Sequence, residues 1–117
     1  MSKNNIYKNI KPESKLKLFT TEKIYGEGIN KLLHFIDSEK SAQAACKKMG
    51  MSYAKGWKIV RRLEKELGIK ILESKIGGAK GGISVLTKEA KDLIKRFDAM
   101  QKDIDKYTSK IYKAYFG

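Results

Sequence analysis

Apolar positions along this chain change their spacing several times, and each change marks an element. In "KLKLFTTEKIYGEG", Leu16 and Leu18 alternate with lysines before the run stops at Gly26 and Gly28, which predicts a strand closed by a turn. "INKLLHFIDSEK" then places Ile29, Leu32, Leu33 and Ile36 at helical spacing. "SAQAACKKMG" opens on Ser41, a natural N-cap, and closes on Gly50, a natural helix stop. Its Ala42, Ala45 and Met49 form a small-residue face that permits close packing. A third helix is capped by Ser52 and runs through "YAKGWKIVRRLEKEL" to Gly68. Trp57, Val60, Leu63 or Glu64, and Leu67 make its expected inner stripe. The tight "MGMS" link between the second and third helices completes a helix-turn-helix pattern.

Two short apolar runs follow, "KILES" and "ISVL", with a glycine-rich stretch between them. They predict a β-hairpin with a long tip, placed where a wing would follow a helix-turn-helix. From Thr87 onward the sequence has no proline and no internal glycine. Thr87 caps this last helix and Glu89 complements the helix dipole in its first turn. Apolar residues recur at Ala90, Leu93, Phe97, Met100, Ile104, Tyr107, Ile111 and Ala114, with gaps alternating between three and four. That is a heptad seam. A helix of this length spans roughly 40 Å, longer than the body of a small domain can cover, so a second copy is expected to pair along it. The predicted fold is mainly α with a small β wing, divided into three parts. Residues 1–14 form a flexible arm, 15–86 a winged helix-turn-helix domain, and 87–117 a dimerisation helix.

Composition narrows the function. Of 117 residues, 26 are Lys or Arg and 13 are Asp or Glu, a net charge of +13. Such a balance favours a polyanionic partner, and in a small helix-turn-helix chain double-stranded DNA leads the alternatives. One cysteine, Cys46, excludes an intrachain disulfide, and with a single histidine it excludes a Cys/His metal cluster. Cys46 lies among small residues and is expected to be a buried small hydrophobe. No apolar run has the length of a membrane span and no signal-peptide pattern opens the chain, so a cytoplasmic location is expected. No nucleophile–base pair or carboxylate cluster points to an enzyme, and neither a metal nor a cofactor is expected.

The glycine-rich stretch fails as a nucleotide cradle. A P-loop frame needs lysine then Ser or Thr after its last glycine, whereas Ile83 follows Gly82. A wing tip fits better. Gly77, Gly78, Gly81 and Gly82 would let the main chain press close to a duplex, with Lys75 and Lys80 adding charge for phosphate. In a helix-turn-helix the second helix of the motif enters the major groove N-terminus first. Its expected contacts are Ser52, Tyr53, Lys55 and Lys58, with Arg61 and Arg62 on phosphate. Arg61 and Arg62 serve equally well as solvated surface, since Glu64, Lys65 and Glu66 lie beside them. Trp57 is expected in the core and His34 in a structural or surface role, while the spacing of Tyr53 to Trp57 also suits packing at the core's edge as the alternative to a DNA contact.

The span from Gly28 to Ile94 resembles the N-terminal DNA-binding domain of the ModE molybdate-responsive regulators, through "MGMSY…W", "ELGIKIL", "GGAKGG" and "LTKEAKDLI". "RRLEKELGIKIL" and "LT" are shared more loosely with LysR-type regulators, while the leading "KLKLF…GEGI" suits the ModE type better. The resemblance covers roughly residues 15 to 97. It implies a dimeric winged helix-turn-helix transcription factor on a near-palindromic operator, reading DNA through Ser52, Tyr53, Lys55 and Lys58 and through the wing. Two departures stand out. The family usually has alanine where this chain has Gly56, and a helical glycine costs about 0.5–1 kcal/mol, which predicts a softer recognition helix. Full-length members also carry a C-terminal molybdate-binding β-domain. No strand-rich segment follows Thr87 here, so molybdate is not expected to bind this chain. The rival expectations are a DNA-coating accessory protein without operator preference, and an adaptor whose long helix pairs with a different chain.

Overall fold

The computed structural model describes residues 6–75 and 83–117, with Ser74 and Lys75 described in their backbone alone. The order is β1 (Leu18–Phe19), β2 (Lys23–Tyr25), α1 (Glu27–Glu39), α2 (Ala42–Met49), α3 (Tyr53–Leu67), β3 (Leu72–Lys75), β4 (Ile83–Leu86) and α4 (Lys88–Phe116). β1 and β2 form one antiparallel pair, with Leu18 opposite Tyr25 and an irregularity before Phe19 meets Lys23. β3 and β4 form the other, in register from Leu72–Leu86 to Lys75–Ile83. This second pair is the predicted hairpin.

Each helix starts where a side-chain oxygen can take up an orphan N–H, α1 excepted. Ser41, Ser52 and Thr87 accept from the amides of Ala44, Lys55 and Ala90 at 3.0, 3.1 and 3.1 Å. Gly26 caps α1 without a side chain. α2 stops at Gly50, whose φ of 70° a residue with a Cβ adopts only under strain. Met51 N–H then returns to the Cys46 carbonyl at 3.0 Å, which turns the chain sharply into α3. Thr87 does two jobs, since its hydroxyl also donates to the Lys70 carbonyl at 2.6 Å and so joins α4 to the segment that leads into β3.

The core lies where α1 packs against α2, β4 and α4, with α3 and β2 closing the side. Tyr25, Leu32, Leu33, Ile36, Leu63 and Ile71 are its largest fully buried side chains. A polar chain leads from it to the surface. Tyr25 donates its hydroxyl proton to Asn30 Oδ1 at 2.6 Å, Asn30 Nδ2 donates to Asp98 Oδ1 at 2.8 Å, and His34 Nε2 meets Asp98 Oδ2 at 2.7 Å. Tyr25 also meets the Phe97 ring edge-on at 5.0 Å. These contacts tie α4 to β2 and α1. His34 thus has the structural, half-exposed role the sequence predicts.

Four expectations need correcting. The amino-terminal strand is a hairpin, because Ile24 and Tyr25 return as β2 and bury their side chains on the core. The inner stripe of α3 is Gly56, Val60 and Leu63; Trp57 is half-buried and Leu67 is 38% exposed. The seam of α4 is divided. Ala90 and Phe97 are buried with Ile94 in the protomer's own core and Leu93 packs at its edge, because the first turns of α4 lie over α1 and β4. Met100, Tyr107, Ile111 and Ala114 are exposed and Ile104 is half-buried. Finally, residues 6–14 are not a loose arm. They lie along α4, where Gln101, Thr108 and Tyr112 hydrogen-bond to them.

Candidate nucleic-acid interface

α3 turns one side inward and leaves the opposite side open. Gly56, Val60 and Leu63 are buried, so the face half a turn away carries Ala54, Lys58, Arg61 and Lys65, all exposed. Lys55 and Tyr53 flank this line on its two sides, and both are exposed. Between Tyr53 and Leu63 the helix carries four cations and no acid. The two acids that follow do not cancel them: Glu64 turns back to accept the Ile71 amide at 2.9 Å, and Glu66 accepts from the Thr20 hydroxyl at 3.2 Å.

The predicted contacts separate into groups. Ser52 is exposed, and its oxygen is engaged as the cap of α3, which leaves its own proton available to donate. Tyr53, Trp57 and Arg61 stack at four-residue spacing. The Tyr53 ring meets Trp57 edge-on at 5.9 Å and the Arg61 guanidinium lies over Trp57 at 5.2 Å. A guanidinium resting on an aromatic face keeps its N–H edge open for a phosphate or a base. Arg62 belongs to a different surface. It pairs with Glu22, in the β1–β2 turn, at 2.8 Å, which directs it toward the amino-terminal hairpin. Lys55 and Lys58 stand clear on the exposed side.

Gly77, Gly78, Lys80, Gly81 and Gly82 lie outside the described residues, as does the Lys75 side chain at the end of β3. The strands that lead to this tip are set by β4. Its Ser84 amide donates to the Lys40 carbonyl at 3.1 Å, which joins the hairpin to the end of α1.

Ala54, which carries neither a charge nor a hydrogen-bonding side chain and so was not expected among the contacts, stands exposed four residues before Lys58. Gly56 also has a different explanation from helix softness. A Cβ built there falls 2.2 Å from Cys46 Sγ, so the glycine lets α3 approach α2 closely. Cys46 is 3% exposed, and burial pushes its thiol pKa up.

No family model and no curated protein matches the chain. Solved structures do. The chain is similar to the BenM DNA-binding domain in its complex with benA site 1 DNA, with a TM-score of 0.54 and 20% identity, over 77% of this chain and 94% of that one. The complex of the same domain with catB site 1 DNA matches at a TM-score of 0.53 and 20% identity, over 75% and 92%. At this identity the likeness establishes architecture, and the architecture of this chain is a winged helix-turn-helix.

Proposed function

We propose that this protein is a double-stranded-DNA-binding transcriptional regulator whose α3 enters the major groove. The observation that carries the proposal is the exposed, acid-free front of α3, where Lys55, Lys58 and Arg61 surround Ala54. The fold shared with a domain seen bound to DNA supports the same placement. Ser52 and the first amides of α3 would hold a phosphate, Tyr53, Ala54, Lys55 and Lys58 would meet base edges, and Arg61 would grip the backbone. The glycine-rich tip would add Lys75 and Lys80 on phosphate. Two copies joined along the exposed part of the α4 seam, from Met100 to Ala114, would set their recognition helices about 34 Å apart on one face of the duplex. The finer assignment is to the ModE type, with LysR-type kinship and without molybdate binding by this chain. Among the described residues no helix is long and apolar enough to cross a membrane.

The test is selection of bound fragments from genomic DNA, followed by competition of the selected site against bulk DNA. A specific regulator holds the selected site at least ~10³-fold more tightly. Lys58→Ala should alter the preferred base at one or two positions. Equal affinity for all DNA would refute operator recognition and leave the DNA-coating reading.

A further inference from the structure

The segment before β1 is built into α4. Leu16 N–H donates to Gln101 Oε1 at 2.8 Å, and Gln101 Nε2 donates to the Ser14 carbonyl at 2.7 Å. Thr108 Oγ1 donates to Ser14 Oγ at 3.0 Å, and the Tyr112 hydroxyl reaches the Tyr7 carbonyl at 3.3 Å. The Tyr7 ring meets Phe116 edge-on at 5.0 Å. Residues 6–16 therefore form a strap that runs antiparallel to the far half of α4.

Helix geometry places this strap beside the exposed seam. Gln101, Thr108 and Tyr112 are each one residue on from Met100, Tyr107 and Ile111, a rotation of about 100° around the helix. The strap covers one flank and leaves the seam open, with Met100, Tyr107 and Ile111 at 51, 58 and 58% exposure. It also adds apolar surface, since Ile6 and Ile10 are 76 and 49% exposed. A groove of about 270 Å³ lies between strap and helix, lined by Pro12, Ser14, Thr108, Ile111 and Tyr115 among others. Ile111 belongs to both the groove and the seam, so the two surfaces are continuous.

We propose that the strap is part of the self-association surface, and that the groove takes an apolar side chain from α4 of a second copy. This rests on the dimer reading above. Two physical points favour a second copy as the occupant. Most of the large apolar side chains left exposed among the described residues lie on the strap and the far half of α4, which is the clustering that marks an interface. The strap lies outside both strand pairs, its first residues forming a turn closed by the Ile10 N–H on the Tyr7 carbonyl at 3.1 Å, and backbone groups left to water would resist dehydration. Gln101 and Tyr112 satisfy several of them from within the same copy, and Thr108 engages the Ser14 hydroxyl, which prepares the strap for burial.

The experiment is sedimentation equilibrium on the full chain, with Ile6→Ser/Ile10→Ser as the strap variant and Tyr107→Ser as the seam variant. Both isoleucines are exposed, so unchanged far-ultraviolet circular dichroism is expected. The strap variant should raise the dimer dissociation constant at least ~10-fold, because each lost contact counts twice in a symmetric pair. A wild-type-like constant for the strap variant, with Tyr107→Ser weakened, overturns the strap proposal and leaves the dimer standing. A wild-type chain that stays monomeric overturns both. A second readout does not depend on stability. Because Cys46 is buried, Ile10→Cys offers one accessible thiol for a benzophenone maleimide. Irradiation should give covalent dimers, and their absence at concentrations where the chain is dimeric overturns the proposal.

Discussion

Replacing Gly56 by alanine puts two effects of opposite sign in one position. In a helix interior alanine is better than glycine by about 0.5–1 kcal/mol. Against that, the new methyl would lie 2.2 Å from Cys46 Sγ, well inside any real contact. The next neighbours, Cys46 Cβ and Met51 Sδ, are both at 3.7 Å, an ordinary distance. The conflict is therefore with one sulfur atom. That sulfur has a single torsion through which to retreat, in a residue 3% exposed. Overpacking of this kind costs about 1–3 kcal/mol, so Gly56→Ala should destabilise by about 1 kcal/mol net, a fall in Tm of roughly 4 °C. Cys46→Ala removes the sulfur. In that background Gly56→Ala should stabilise by about 0.5–1 kcal/mol, so the same substitution changes sign. Thermal unfolding of the four proteins of this cycle measures the coupling, expected at about 1–3 kcal/mol. If Gly56→Ala raises Tm equally with and without the sulfur, Gly56 is only a soft point in α3 and the close-approach explanation is wrong.

Other consequences can be checked with the same purified chain. Burial, with the Asp98 charge second, raises the Tyr25 phenol pKa well above its usual value. The stabilisation linked to that raised value is fully present below about pH 10 and lost as pH rises through the folded pKa. Tyr25→Phe should be less stable at neutral pH by about 1–2 kcal/mol, since Asn30 Oδ1 loses its donor, and the gap should narrow above pH 10 in chemical denaturation. Its failure to narrow would refute the linkage. The hydrogen bond from Lys15, at 2.7 Å, lowers the Glu27 pKa. Its small contribution should be present at neutral pH, vanish as pH falls below the usual carboxylate range, and be absent from Glu27→Gln and in high salt. Cys46 should react with a disulfide reagent only at the rate of unfolding; reaction as fast as a free thiol would contradict its burial. Lys80→Ala should weaken binding to all DNA alike and lower the salt slope by about 0.9, while a changed base preference would contradict a phosphate role.

The helix-turn-helix and hairpin were legible because their signals are local. Ser41, Ser52 and Thr87 cap helices wherever they precede a helical run, and Gly50 stops one for the same backbone reason in any fold. The exposure of Lys55 and Lys58 followed from period alone, once the apolar face was known. Ala54 was not legible by charge, and Arg62 was ambiguous, because Glu22 lies 40 residues away in sequence and only folding brings it near.

The order of helices and hairpin, the caps that bound them and the cationic front of α3 were determined by the sequence itself, through short-range sterics and the 3.6-residue period. Only the tertiary structure decided which apolar positions face which neighbour. A heptad spacing is blind to that choice: Ala90 and Phe97 go to the chain's own core, while Met100 and Tyr107, on the same helix and spacing, stay open. The same holds for the strap, whose polar composition reads as loose until Gln101, Thr108 and Tyr112 are seen beside it. It holds for Gly56 as well, which is a helix weakness in one dimension and a packing requirement in three. Contacts between distant segments depend on where helices cross, and no local pattern encodes that crossing.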